Sequence, residues 1–366
     1  VAASNRTVTY PRDQRGYQCG PDLATAIGIF GTGKELVMLA GQDSFMFGRA
    51  DTCNLQVEDK HVASVHVCIT RIVNSRASLR VSNVSSGKND IVYNGEIAER
   101  EFEMGAGDWF QIGDGRYVIL NEEMRLVRSQ LMQALGVRQH AAIDDLLIAA
   151  VRDSARPILL IGERGCDQKN LASVIHQVSH RRHNRFYPLP EQAKLDNDVR
   201  QELLNARNGT VLVHVHQRGK LDSDLVAALI HPDAALRLVL SARSVDKAEA
   251  SFPPDLMHDT RKIRIPPLRE RIAEISELMD QRFILCRSPL RFSLLRPELR
   301  ESLRAHIWPG NLEELRVTVD NLVDLAHYRS RGQAERESPL SRSKLRGWIK
   351  RLTLKLKFPI LPHEAE

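Results

Sequence analysis

The sequence predicts two unlike folded regions in series: an all-β sandwich, then an α/β core with a parallel sheet covered by helices. Two observations carry this. From residue 26 to 122 the apolar runs are short and separated by Gly, Asn, Asp and Ser, without a stretch of about ten residues at helical spacing. Beyond residue 135, "ILLIG", "TVLVHV" and "LRLVLS" are continuous apolar runs alternating with helical patterns such as "KNLASVIHQVSH" and "SDLVAALI". Runs of that kind suit parallel strands buried on both faces and covered by helices. At 366 residues the chain has room for two or three separate cores.

A composition of 42% hydrophobic and 27% charged residues fits a soluble globular protein and argues against a membrane protein. No apolar run approaches the roughly 18 residues of a membrane span, and the opening "VAASNRTVTYPRDQ" lacks the apolar centre of a signal peptide. A cytoplasmic protein without a membrane partner is expected. Cys19, Cys53, Cys68, Cys166 and Cys286 are scattered and form no CxxC pair, so reduced thiols are expected. The formal charge of +6 permits an anionic partner without requiring one.

Residues 1–25 read as an N-terminal extension. The next stretch, "GIFGTGKE" from Gly28, matches a phosphate-binding loop in letters only. Such a loop must follow a buried strand and open a helix, whose free amides hold the phosphate. Here "AIGIF" and "ELVMLA" flank "GTGK" as two short apolar runs, which predicts a β-hairpin turn. Further on, "FGR" at Phe47–Arg49, "VASVHVCI" at Val62–Ile69, "YNGE" at Tyr93–Glu96 and "GDWFQIGDGRYVIL" at Gly107–Leu120 stand in one order and spacing. Over residues 26–122 the chain thereby resembles forkhead-associated (FHA) domains, β-sandwiches whose loops bind phosphothreonine peptides. The resemblance implies a phosphate-binding arginine at Arg49 and a peptide-binding asparagine at Asn94. The family's serine is replaced by Ala63, its following arginine by Ser64, and the threonine before the Asn-Gly turn has Ile91 nearest its place. Two lost phosphate ligands, at about 1–3 kcal/mol each, predict weak phosphothreonine binding. Ser64 and Lys88 are the neighbours placed to substitute, and His66 reads as a structural histidine.

Residues 123–134 predict a linker helix and 135–265 the α/β core, and 266–326 form the α-helical lid that the following resemblance implies. In this region "ILLIGERG", "NLASVIHQVSHRR", "NARNGTVLV", "IRIPPLRERIAEISEL" and "WPGNLEELR" follow the order of the AAA+ domain, a P-loop NTPase fold, of sigma-54-dependent transcription activators, which the chain resembles from about 135 to 326. The catalytic parts that this resemblance leads one to seek are altered. Along the phosphate loop Gly162 and Gly165 remain, but Asp167 and Gln168 stand where the family has Gly-Lys, and Lys169 comes one residue late. Asp167 sets a negative charge where a phosphate would lie. His214 and Val215 occupy the places of the acids that hold Mg²⁺ and activate water, and Arg243 that of the γ-phosphate sensor. Pro253 and Asp259 stand at the intersubunit arginine fingers, and Glu313 at the lid arginine. With so many charges removed, neither ATP nor Mg²⁺ is expected to bind productively, and no enzyme activity is expected.

The family's gripping loop, with its Gly-Ala-Phe-Thr-Gly-Ala sequence, is missing from "NRFYPLPEQAKLDNDVRQELLNARNGT", and the interval of its second insertion also looks short. His176, His180, His183, His214 and His216 have no cysteine or carboxylate at ligand spacing, so no metal site is expected. "RRHNR" at Arg181 reads as a solvated turn. In the tail, 327–366, "SRSKLRGWIKRL" predicts a basic helix carrying Arg342, Lys344, Arg346, Lys350 and Arg351, and "LTLKLKF" alternates like a strand with Leu352, Leu354, Leu356 and Phe358 on one face. DNA contact and a solvated tail both remain open there. The reading that results is a non-catalytic bacterial regulator or scaffold, an FHA sandwich on a pseudo-ATPase core. Its expected partner is a protein, in one variant a phosphoprotein, with self-assembly permitted; the alternative is a DNA-binding regulator acting through the basic tail.

Overall fold

The computed structural model describes residues 24–38, 43–72, 79–86, 90–135, 140–151, 156–190, 193–215, 221–328, 330–337, 342–351 and 360. Strands β1 (Ala26–Ile29) and β2 (Glu35–Val37) pair antiparallel with Gly28 opposite Glu35, so the glycine-rich stretch is the predicted hairpin. Gly31 and Gly33 take φ of 71° and 69°, backbone that glycine adopts without steric cost. There follow β3 (Ser44–Gly48), β4 (Leu55–Gln56), β5 (Val67–Arg71), β6 (Leu79–Asn83), β7 (Val92–Tyr93), β8 (Glu96–Ile97), β9 (Glu101–Met104), β10 (Trp109–Ile112) and β11 (Gly115–Leu120). They form two sheets, β2-β1-β11-β10-β7-β8 and β4-β3-β5-β6-β9. Alternation does the sorting: Leu79 and Val81 are buried while Arg80 between them is exposed. Phe47, Phe110 and Tyr117 meet in the core, the last two stacked with centroids 5.1 Å apart.

Helix α1 (Glu122–Leu135) starts where the Asn121 side chain accepts the Met124 N–H at 2.8 Å. Helix α2 (Ala141–Val151) is apolar almost all round and is correspondingly buried on most of its circumference. Next come β12 (Ile158–Ile161), α3 (Gln168–Gln177), β13 (Phe186–Pro188), α4 (Asn197–Asn205), β14 (Thr210–His214), α5 (Ser223–Ile230), β15 (Arg237–Ala242), α6 (Val245–Glu249), α7 (Pro254–Asp259) and β16 (Arg261–Arg264). The sheet order is β13-β14-β15-β12-β16, with β13 and β14 parallel. Between β13 and β14 the described chain holds the single short helix α4, capped by Asp196, whose carboxylate accepts the Val199 N–H at 2.8 Å.

The remainder is helical: α8 (Ile275–Leu285), α9 (Pro297–Ala305), α10 (Asn311–Leu325), α11 (Arg331–Glu337) and α12 (Arg342–Arg351). Their common core includes Phe283, Trp308 and Leu322, and also Ala334, Trp348 and Ile360 from the tail. The packing therefore continues past residue 326, because Trp348 supplies the apolar face of an otherwise basic helix. The chain divides into two compact units, one of 1–159, 170–240 and 246–263, the other of 160–169, 241–245 and 264–366. The segment 160–169 thus groups with the helical part, from which the sequence boundary at 265/266 separates it.

Candidate nucleotide and phosphopeptide sites

On the sandwich, Gly48 brings β3 against the loop before β5. A Cβ there would lie 2.2 Å from the Ser64 carbonyl oxygen, so only glycine permits the approach. The Arg49 and Ala50 N–H groups donate to the Ala63 and Ser64 carbonyls at 3.0 and 2.9 Å, which places exposed Arg49 and exposed Ser64 side by side. Arg49 Nε donates to the Val62 carbonyl at 2.6 Å and fixes the guanidinium on that loop. His66 is buried, and its Nδ1 accepts the Ala63 N–H, as a structural histidine does. Two other positions bear on the peptide-binding loops. Ile91 is buried in the core, and Asn94, at φ 50°, accepts the Trp109 N–H and donates to Asp108, both at 3.0 Å. Of the phosphopeptide residues expected from sequence, Arg49 and Ser64 are brought together and Asn94 holds the turn to β10. Lys88 lies outside the described residues.

The loop 162–168 is tied down by its own side chains. Gln168, at the start of α3, donates Nε2 to the Gly162 carbonyl at 2.9 Å, and the Gly162 N–H donates to Ala242 at 3.0 Å. Asp167 sits at φ 62°, left-handed backbone that aspartate tolerates better than most side chains. Its carboxylate is bonded by Arg316 of α10 at 2.5 Å. Glu163 is held by two bonds from Arg269 at 2.5 and 2.6 Å, and these keep its carboxyl below the ordinary glutamate range. Asn311 is fully buried, donating Nδ2 to the Arg164 carbonyl at 2.9 Å and accepting the Leu268 N–H at 2.8 Å. The Glu313 N–H donates to the Gly165 carbonyl at 3.3 Å. At Gly165, φ is 80° and a Cβ would lie 2.1 Å from the Gly310 carbonyl oxygen, so this glycine is demanded by packing. Burial raises the Cys166 thiol to about 11, which leaves it protonated and unreactive at neutral pH. Lys169, one residue late, is exposed.

The sequence grouped Gly162, Gly165, Gln168 and Glu313 at this loop, where the structure also brings them together, but gave no role to Arg269, Asn311 or Arg316. Arg269 and Asn311 lie within the quoted "PPLRER" and "WPGN" stretches, which was the available signal. The partner of Asp167, 149 positions away, had none. His214 ends β14 beside buried Val215, and Arg243 is exposed just beyond β15. His176 is buried, its Nδ1 3.0 Å from Thr210 Oγ1, and burial lowers its basicity. Arg181, expected in a solvated turn, instead donates to the Ala235 carbonyl at 2.7 Å, because strand ends leave carbonyls that need donors. His216 lies outside the described residues.

On α12, Lys344, Arg346 and Lys350 are exposed and Trp348 is buried on the other side. Arg346 Nε bonds Glu335 at 3.1 Å. The side chains of Arg342 and Arg351, and the stretch 352–358 read as a strand, lie outside the described residues.

The sandwich followed by an α/β core and a helical part has the architecture of an FHA-like domain before an AAA+-like module, and over the latter the chain is similar to sigma-54-dependent activators. No family model matches the chain. Among curated proteins it is 27% identical over 210 residues to the Psp operon transcriptional activator of Escherichia coli, covering 46% of this chain and 64% of that protein. It is 25% identical over 245 residues to the C4-dicarboxylate transport transcriptional regulatory protein DctD of Rhizobium meliloti, covering 55% and 53%. The chain thus spans less than two thirds of either relative. Among solved structures, NtrX from Brucella abortus with ADP is similar over 54% of both chains, at 20% identity and a TM-score of 0.42. The FHA domain of CT664 from Chlamydia trachomatis is similar over 26% of this chain and 95% of that one, at 15% identity and a TM-score of 0.23. At those scores the fold rests on the strand order and motifs above, not on the superpositions. No helix among the described residues is long and apolar enough to cross a membrane.

Proposed function

We propose that this chain is a regulatory protein, linked to transcription, whose AAA+ module works without nucleotide as a surface for protein recognition and assembly. One observation carries the reading: Asp167 and Gln168 fill the phosphate loop from within, one paired to Arg316 and the other bonded to the Gly162 carbonyl. In an active loop a lysine and free amides hold phosphate, and the nucleotide links loop and lid. Here Asp167 brings a carboxylate to the loop and its ion pair with Arg316 makes the link, so phosphate would meet repulsion and an occupied partner. The sandwich would add a protein contact around Arg49 and Ser64, with phosphothreonine affinity reduced because Ala63 and buried Ile91 stand in place of two phosphate ligands. The reading is tested by steady-state ATP hydrolysis of the purified chain, expected at the buffer background. Hydrolysis that disappears in Lys169→Ala or Asp167→Ala would overturn it.

A second reading is favoured by α12, which turns Lys344 and Lys350 outward while Trp348 anchors it in a folded core. A basic helix held that way can lie on a phosphate backbone. Truncation near residue 326 would remove Trp348 from the core and confuse binding with unfolding. Lys344→Glu with Lys350→Glu is the cleaner test: DNA binding that falls with salt and weakens in the double variant supports a DNA-binding regulator, and equal affinities rule it out.

A further inference from the structure

Helices α4 and α5 and the turn after α5 enclose an open, almost wholly apolar groove of about 510 Å³. Leu203 and Leu204 line one side and Ala227 and Ala228 the other, with Leu204 66% exposed. Arg200, Arg207 and His231 stand at the lining, against the single carboxylate of Asp233, which lies 3.8 Å from His231. The groove is therefore an apolar floor with a cationic rim.

A surface of opposite character lies on the sandwich. Ile97, at the end of β8, is 74% exposed, the highest value for a large apolar side chain among the described residues. It is followed along the chain by "AEREFE", so residues 96–103 hold four glutamates and one arginine. Glu96, Glu99 and Glu101 are exposed, and Glu103 is paired with Arg80 at 3.4 Å. This is an apolar knob with an anionic surround. Knob and groove are both open within one chain, so they do not cover each other there.

We propose that the Ile97 knob of one copy docks in the α4–α5 groove of a second copy, with Glu96 and Glu99 against Arg200 and Arg207. Two different patches of the same chain then meet head to tail, a heterologous contact that closes into a ring or extends as a filament. Same-patch pairing would oppose cation to cation or carboxylate to carboxylate. The apolar contact supplies affinity and the charges select the partner patch. The contact involves neither the phosphate loop nor the tail, so it stands or falls independently of the function proposed above.

The test is sedimentation velocity of the full chain across a concentration series at low and high salt. Self-association is expected, weaker at high salt, and weaker by about tenfold or more in Arg200→Glu/Arg207→Glu and in Glu96→Arg/Glu99→Arg. Mixing those two variants restores complementary charge at every contact and should restore assembly. Ile97→Ser, at an exposed tip that folding does not need, should also dissociate the assembly, and circular dichroism melting checks that each variant is folded. A chain that is monomeric at all concentrations overturns the proposal. So does an assembly indifferent to both reversals, or a mixture of folded reversed variants that fails to associate.

Discussion

Two glycine-rich loops, 28–34 and 162–168, spell similar motifs and are held in opposite ways. The first is fastened by a buried ion pair. Arg128 Nε bonds Asp144 at 2.8 Å, Asp144 also accepts the Gly31 N–H at 2.9 Å, and Arg128 donates to the Ile29 and Lys34 carbonyls, both at 3.2 Å. The second is fastened by pairs nearer solvent, with Arg316 and Asp167 side chains 41% and 19% exposed and Arg269 and Glu163 44% and 41% exposed. The difference teaches that the letters of a loop do not set its role. The element that the loop leads into sets it, a strand in one case and a helix in the other, and burial of the partner charges sets how much each attachment is worth.

The sharpest way to break this comparison is Arg128→Ala. Removing one partner leaves the Asp144 carboxylate buried without its cation, while the Ile29 and Lys34 carbonyls keep the Thr32 and Ile29 donors, and a loss of about 3–5 kcal/mol in urea unfolding is expected. The next largest effect belongs to the second loop's own backbone. Gly165→Ala drives a Cβ against the Gly310 carbonyl in addition to the cost of its φ, and should destabilise by about 3 kcal/mol or more. Gly31→Ala meets only ordinary contact, 3.4 Å from the Ala141 nitrogen, so the left-handed backbone alone decides and about 1–2 kcal/mol is expected. If Gly31→Ala proved the costlier of the two, the packing account of Gly165 would be wrong.

Asp167→Asn should cost no more than about 1 kcal/mol, since screening by solvent limits such a pair. Its clearer signature is local: faster amide hydrogen exchange at 162–168 with the sandwich unchanged. The smallest effect is in pH. Arg269 lowers the Glu163 carboxyl below its ordinary value of 4.5, so the folded state binds that proton less readily than the unfolded chain. The pair contributes fully above that ordinary value and its contribution fades as pH falls through the lowered one. In Glu163→Gln this acid-side loss should vanish, which acid unfolding curves of the two proteins would show.

The hairpin at 28–34 was legible because both flanking runs are short and apolar and no helix comes after them. The parallel sheet was legible because buried strands leave continuous apolar runs such as "TVLVHV". The altered loop residues were visible as single letters, Asp167 and Gln168 among them. Their attachments were not, because an ion pair between positions 167 and 316 is created by the fold and leaves no local pattern. The same holds for Trp348, which reads as one aromatic in a basic helix until the core that receives it is built. Asn94 is a related case: its bonds to the Trp109 N–H and to Asp108 join positions 14 and 15 residues apart and leave no local pattern to read.

The central claim, that the second loop is closed by its own side chains, is tested most directly by calorimetric titration of the full chain with ATP and Mg²⁺. We expect no saturable heat up to millimolar nucleotide. Saturable binding in the micromolar range, lost when Gln168 or Lys169 is replaced, would contradict it.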